Sequence, residues 1–163
     1  MRDRERERVL HASSIAWFRR EPAARATLLA ILPQTSVTPP LSRSLRLHAR
    51  VPSLRMVERF FNALQERPGD TFEVVRLVKD RTRVYRMTGS DILDDLRAQR
   101  QSFDRRLFNP YCNQKRVRVN YAGAGVYVSS DTGQLHFLRW LIESGYVGLI
   151  YRWGEIEGCM SKK

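Results

Sequence analysis

Cysteine is nearly absent from the 163-residue chain: Cys112 and Cys159 are the only two, and neither they nor His11, His48 and His136 show metal-ligand spacing. A disulfide framework and a zinc finger are therefore not expected, and the usage fits a reducing compartment better than secretion. Long apolar runs are also missing. The longest, Ala26 to Leu32 and Tyr146 to Tyr151, fall far short of the roughly 20 residues that a spanning helix needs. Acids are in deficit, with 17 Asp and Glu against 29 Lys and Arg, so the formal charge is +12. The opening MRDRERER interleaves arginine with Asp3, Glu5 and Glu7, whereas transit peptides are poor in acids and secretory signals need an apolar centre; no targeting segment is expected.

What is present is enough for a folded core. Hydrophobic residues make up 42% and aromatic residues 10%, ordinary values for a globular chain. The length fits one domain with an extension. The basic side chains are mostly arginine, which favours planar, bidentate contact with phosphate or carboxylate and so a polyanionic partner.

Residues 1–51 read as a basic, partly flexible arm with short helices. A mixed-charge run from Arg2 leads towards Val9, Ile15, Trp17 and Phe18 with loose spacing. Glu21-Pro22 then starts a short helix that Pro33 ends. Pro33 to Pro52, with Pro39, Pro40, Arg43, Arg46 and Arg50, reads as a linker that resists helix and sheet alike.

From residue 52 to 163 the pattern is that of a compact domain. Ser53 caps a helix whose Leu54, Val57, Phe60, Phe61 and Leu64 form one apolar stripe. Phe72 to Val78 and Arg83 to Met87 read as a hairpin turning between Lys79 and Thr82. Thr88 to Asp91 offer two possible caps for a second helix, predicted to run through Ile92, Leu96, Phe103 and Leu107, with Arg100 at the stripe edge reaching water or Asp104, or else touching a ligand, the first being expected. Strict alternation in RVRVNY (116–121) marks a strand, and Gly123-Ala124-Gly125 turns it back into Val126 to Ser129. Asp131 or Thr132, with Gln134, caps a third helix that buries Leu135, Leu138, Leu141 and Ile142 and turns His136 and Arg139 to another side. Gly145 ends it, and an apolar tail from Tyr146 to Trp153 docks back.

The fold expected is α+β: about three helices packed on a small, mainly antiparallel sheet, with a basic N-terminal extension. No catalytic signature is visible. Cys112 admits two readings, a nucleophile activated by basic neighbours and His136, or the ordinary small core residue, and the second is expected. Neither an enzyme nor a cofactor or metal site is expected. Residues 79–118 hold eleven basic side chains against five acids. Arg105, Arg106, Lys115, Arg116 and Arg118, supported by Arg81, Arg83 and Arg86, are the candidate contacts to a phosphate backbone. Some of these cations would also offset a helix dipole, a purely structural role. Tyr111, Tyr121 and Tyr127 offer either stacking faces or core rings.

The run Phe103-Asp104-Arg105-Arg106-Leu107-Phe108-Asn109-Pro110-Tyr111-Cys112, then Arg116-Val117, then Thr132-Gly133-Gln134-Leu135-His136-Phe137-Leu138-Arg139-Trp140, resembles a small uncharacterised protein family of nucleocytoplasmic large DNA viruses. Phe-Asp-Pro-Phe-Cys and Thr-x-Gly-Gln-Leu-Asn-Phe-Phe-Arg-Trp recur in that family, and the likeness covers roughly residues 52–160. Asn109, Tyr111, His136, Leu138 and Asn113-Gln114 depart from its pattern. The resemblance implies a viral protein of the host cytoplasm (the viral factory) or the virion. The expectation is a non-enzymatic protein that binds nucleic acid, genome or transcript, with no membrane association. The alternative is a virion structural or minor capsid protein meeting acidic protein partners.

Overall fold

The computed structural model describes residues 2–32, 34–37, 51–111, 117–120 and 126–161. Among them are six helices and five strands in two antiparallel sheets, an α+β architecture. The chain forms two compact units. The first comprises Met1–Ala49 and Phe103–Trp140, the second Arg50–Ser102 and Leu141–Lys163.

In the first unit the charged opening is helical from its second residue. Helix α1 spans Arg2–Arg20 and α2 spans Pro22–Ile31, with Pro22 where a missing amide costs nothing. Phe18, Leu28 and Leu32 are fully buried, so these helices are core elements where short ones on a flexible arm were expected. The expected linker also contains a strand, β1 (Gln34–Val37). It pairs antiparallel with β5 (Val126–Ser130), whose other neighbour is β4 (Val117–Asn120), giving the order β1-β5-β4. A register shift between Gln34 and Ser36 marks an irregularity in the β1–β5 pairing. The rest of the linker, 38–50, and the glycine turn, 121–125, lie outside the described residues.

The second unit follows the sequence pattern closely. Ser53 Oγ accepts the Met56 amide at 3.1 Å, opening helix α3 (Leu54–Glu66), whose Val57, Phe60, Phe61 and Leu64 are buried. Strands β2 (Thr71–Val78) and β3 (Arg81–Thr88) form a hairpin in which eight residues of one strand face eight of the other. Only Lys79 and Asp80 lie between them, both at positive φ (50° and 63°), as a two-residue hairpin turn requires. Helix α4 (Gly89–Ser102) starts with a reciprocal cap, Thr88 Oγ1 accepting the Asp91 amide at 3.1 Å and Asp91 Oδ2 the Thr88 amide at 3.0 Å.

Helix α4 ends at Ser102, five residues before the predicted Leu107. Asp104 explains the stop. Its side chain accepts the Arg106 amide at 2.9 Å and its carbonyl the Leu107 and Phe108 amides at 2.9 and 3.0 Å, a local turn that competes with helical bonding. Arg100 is exposed, and Asp104 pairs with Arg106.

Helix α5 (Thr132–Glu143) starts in the first unit and passes into the second after Trp140. Gly145, at φ +79°, then turns the chain. A Cβ there would overlap the Val75 carbonyl, so this close approach of backbone to backbone admits only glycine. The apolar tail is itself a helix, α6 (Tyr146–Ser161), which continues past the expected stop at Gly154, a residue buried against Met56. Tyr146 and Ile150 are fully buried, and the Trp153 ring meets Phe60 edge-on at 5.4 Å.

Candidate functional site

The arginines singled out in the sequence are distributed over both units. Arg81, Arg83 and Arg86 lie on β3 of the second unit, and Arg105, Arg106 and Arg118 belong to the first. Lys115 and Arg116 lie outside the described residues, as do Cys112 and Tyr121, while Arg118 and Tyr127 are located by their strands alone. Arg105 is exposed in the turn after α4. Arg106 is partly buried, 3.9 Å from the Asp104 carboxylate.

Strand periodicity sorts the hairpin side chains between two faces. Register places Phe72 opposite Met87, Val74 opposite Tyr85, Arg76 opposite Arg83 and Val78 opposite Arg81 on one face. Buried Val74 marks this as the face that packs within the unit. Glu73 opposite Arg86, Val75 opposite Val84 and Leu77 opposite Thr82 share the other. Arg81 and Arg83 therefore point together and Arg86 points away from them. Residues 79–84 are all exposed, so the tip carries Lys79, Arg81 and Arg83 into solvent with Asp80 as its single acid.

Arg76 was not anticipated. It occupies an inward position of β2, and its guanidinium is held on several sides. Nε donates to the Ser144 carbonyl at 2.7 Å, and Nη2 lies 3.2 Å from the Tyr146 hydroxyl and 3.8 Å from the Asp95 carboxylate. Tyr146 in turn donates to Asp95 at 2.6 Å. The Arg76 cation also stands 5.1 Å over the Tyr85 ring. Burial first, and then the Asp95 carboxylate, push the Tyr146 phenol well above its ordinary value. The hydroxyl stays protonated, a donor rather than a base. A sequence signal existed: parity along FEVVRLV puts Arg76 on the same side as Phe72, Val74 and Val78.

In the first unit the two halves of the family-like motif pack on each other. Gly133 sits under the turn, and a Cβ there would fall 2.5 Å from the Arg106 carbonyl. The Asn109 amide donates to the Gly133 carbonyl at 3.1 Å, and Asn109 Oδ1 accepts the Tyr111 amide at 2.9 Å. Gln134 Nε2 donates to the Pro110 carbonyl at 3.0 Å, while its Oε1 accepts from Ser130 at 2.6 Å. Asp131 supplies the helix cap, accepting the Gln134 amide at 2.8 Å. His136, expected away from the apolar side, is buried, with Nδ1 2.6 Å from the Leu107 carbonyl. Its ring meets Phe103 and Phe108 edge-on at 4.4 and 5.3 Å. These contacts satisfy backbone carbonyls and amides that the turn would otherwise leave unpaired, so the motif residues have a structural task.

Helix α1 joins this arrangement. His11 Nδ1 lies 3.0 Å from Thr132 Oγ1, and Arg139 donates to Ser13 Oγ at 2.9 Å with its guanidinium 5.5 Å over Trp17. Burial lowers the His11 pKa against the opposing pull of Glu7 and Asp131. Among the described residues no group of three or more His, Cys, Asp or Glu side chains could hold a metal ion, and no helix is long and apolar enough to cross a membrane. No protein-family model, curated protein or solved structure matches the chain.

Proposed function

We propose that the chain is a non-enzymatic viral protein that binds nucleic acid through its phosphate backbone, with the tip of the β2–β3 hairpin as the principal contact. The observation that carries this reading is the exposed set Lys79, Arg81 and Arg83 on a two-stranded ribbon. Such a ribbon is narrow enough to enter the major groove of a duplex, and arginine forks match phosphate oxygens. The +12 charge draws the polyanion in from a distance, and exposed Arg105 adds a cation on the first unit. The viral setting, host cytoplasm or virion, rests on the motif resemblance alone.

Counterion release makes the test quantitative. Affinity for duplex DNA and for single-stranded RNA, measured by fluorescence anisotropy across a salt series, should fall steeply and linearly on logarithmic axes. Replacing Lys79, Arg81 and Arg83 together by glutamine should reduce that slope by about three, roughly one for each phosphate left without its cation. Affinity indifferent to salt, or a triple variant with an unchanged slope, rejects the reading.

A second reading, a virion structural or minor capsid protein, is favoured by the other face of the same hairpin, where Val75, Leu77 and Val84 are 41%, 67% and 60% exposed. Nuclease treatment of opened particles separates the two: a genome binder leaves with the nucleic acid, a shell protein stays.

A further inference from the structure

We propose that the apolar face of the β2–β3 hairpin is a self-association surface, on which a second copy of this chain docks face to face about a two-fold axis parallel to the strands. The face is made of alternate residues of both strands: Glu73, Val75 and Leu77 on β2, and Arg86, Val84 and Thr82 opposite them on β3. Its three large apolar side chains are among the most exposed of their kind in the described residues. Exposed apolar side chains gathered on one sheet face mark a surface for association.

Charge identifies the occupant. A chain of +12 repels its own copies over most of its surface, yet this face carries one acid and one base and is locally neutral. The acid and the base stand directly opposite each other in the register. A two-fold axis along the ribbon lays β2 of one copy over β3 of the other. Glu73 then meets the second copy's Arg86, Val75 meets its Val84, and Leu77 meets its Thr82, with every contact repeated by symmetry. The pattern is self-complementary in both charge and shape. Pairing through the β2 edge is obstructed, because Gly145 abuts the Val75 carbonyl and Arg152 donates to the Glu73 carbonyl at 3.1 Å; on the face itself Val75, Leu77 and Val84 stay exposed.

The interface is small. Strand rise and spacing put the buried area on the order of 500 Å² for both copies, beneath the roughly 1,200 Å² of stable complexes. The dimer is therefore weak and concentration-dependent, populated where the protein is packed densely.

Sedimentation equilibrium of the full chain, free of nucleic acid, from micromolar to near-millimolar concentration is the test. Wild type should show a reversible monomer–dimer equilibrium. Leu77→Lys should weaken it by about tenfold or more while far-ultraviolet circular dichroism stays unchanged. Glu73→Arg and Arg86→Glu should each be monomeric alone, since each sets like charges against each other in a homodimer. Mixed in equal amounts they should dimerise, because the mixed pair restores opposite charges across the interface. A wild type that stays monomeric throughout, or dimers indifferent to Leu77→Lys, overturns the proposal. Single variants that fail to recover on mixing overturn the two-fold geometry and with it the proposal.

Discussion

At the scale of single residues, a tight constraint in the first unit falls on Gly133. A methyl group at that position meets the Arg106 carbonyl, which belongs to backbone fixed by Asp104 and Asn109 and cannot give way cheaply. Gly133→Ala should destabilise the protein by about 1–3 kcal/mol in urea unfolding. Tyr146→Phe should cost a similar amount, about 1–3 kcal/mol, because it strips a hydrogen bond from the Asp95 carboxylate and from Arg76 in a largely buried site. His11 gives a pH effect of definite sign. Its folded pKa lies below the ordinary 6.5, so the unfolded chain binds the extra proton more readily. Its contribution to stability is complete above about 6.5 and is lost as pH falls through that value towards the lowered one. His11→Gln should flatten the dependence of the melting temperature on pH between neutral and mildly acidic buffer. These residue-scale roles were only partly legible. The sequence narrowed the cap to Asp131 or Thr132, of which Asp131 accepts the Gln134 amide, but His136 was misplaced, since helical spacing shows which side of α5 a ring occupies and not that a turn 29 residues earlier would present a carbonyl to it.

At the scale of elements, local chemistry was the better guide where it agreed with periodicity. Ser53 and the stripe from Val57 to Leu64 gave α3, and alternation with a polar turn gave the hairpin. The end of α4 was hidden because Phe103 and Leu107 continue the apolar spacing, while the competing turn depends on Asp104 alone. Strand β1 was hidden for a different reason: Gln34–Val37 has weak strand character and owes its conformation to pairing with β5, more than 80 residues away in the chain. The hairpin turn offers a test of element-scale strain. Lys79 and Asp80 both hold positive φ, which is costly for residues bearing a Cβ. Asp80→Gly should therefore raise stability by about 1 kcal/mol, read as a shift in the denaturant midpoint. No gain, or a loss, would mean that the aspartate side chain stabilises the turn by more than its backbone strain costs.

At the scale of the whole molecule, charge is what the composition made plainest. Arginines close in sequence are separated by strand parity, Arg83 to one face and Arg86 to the other, and the proposed phosphate contact centres on the hairpin tip. A chain beginning at Pro52 lacks the buried Phe18, Leu28 and Leu32 of α1 and α2. It should melt at lower temperature than the full chain and bind a hydrophobic dye that the full chain does not; equal melting temperatures would show that the N-terminal helices are dispensable. The first unit is assembled from two separated stretches, Met1–Ala49 and Phe103–Trp140. During synthesis on the ribosome its opening helices emerge long before the residues that complete their unit, and the intervening 53 residues, 50 through 102, must be translated first. The apolar side of these nascent helices therefore waits through that interval for its partners, which makes the segment a natural client for a chaperone near the exit tunnel.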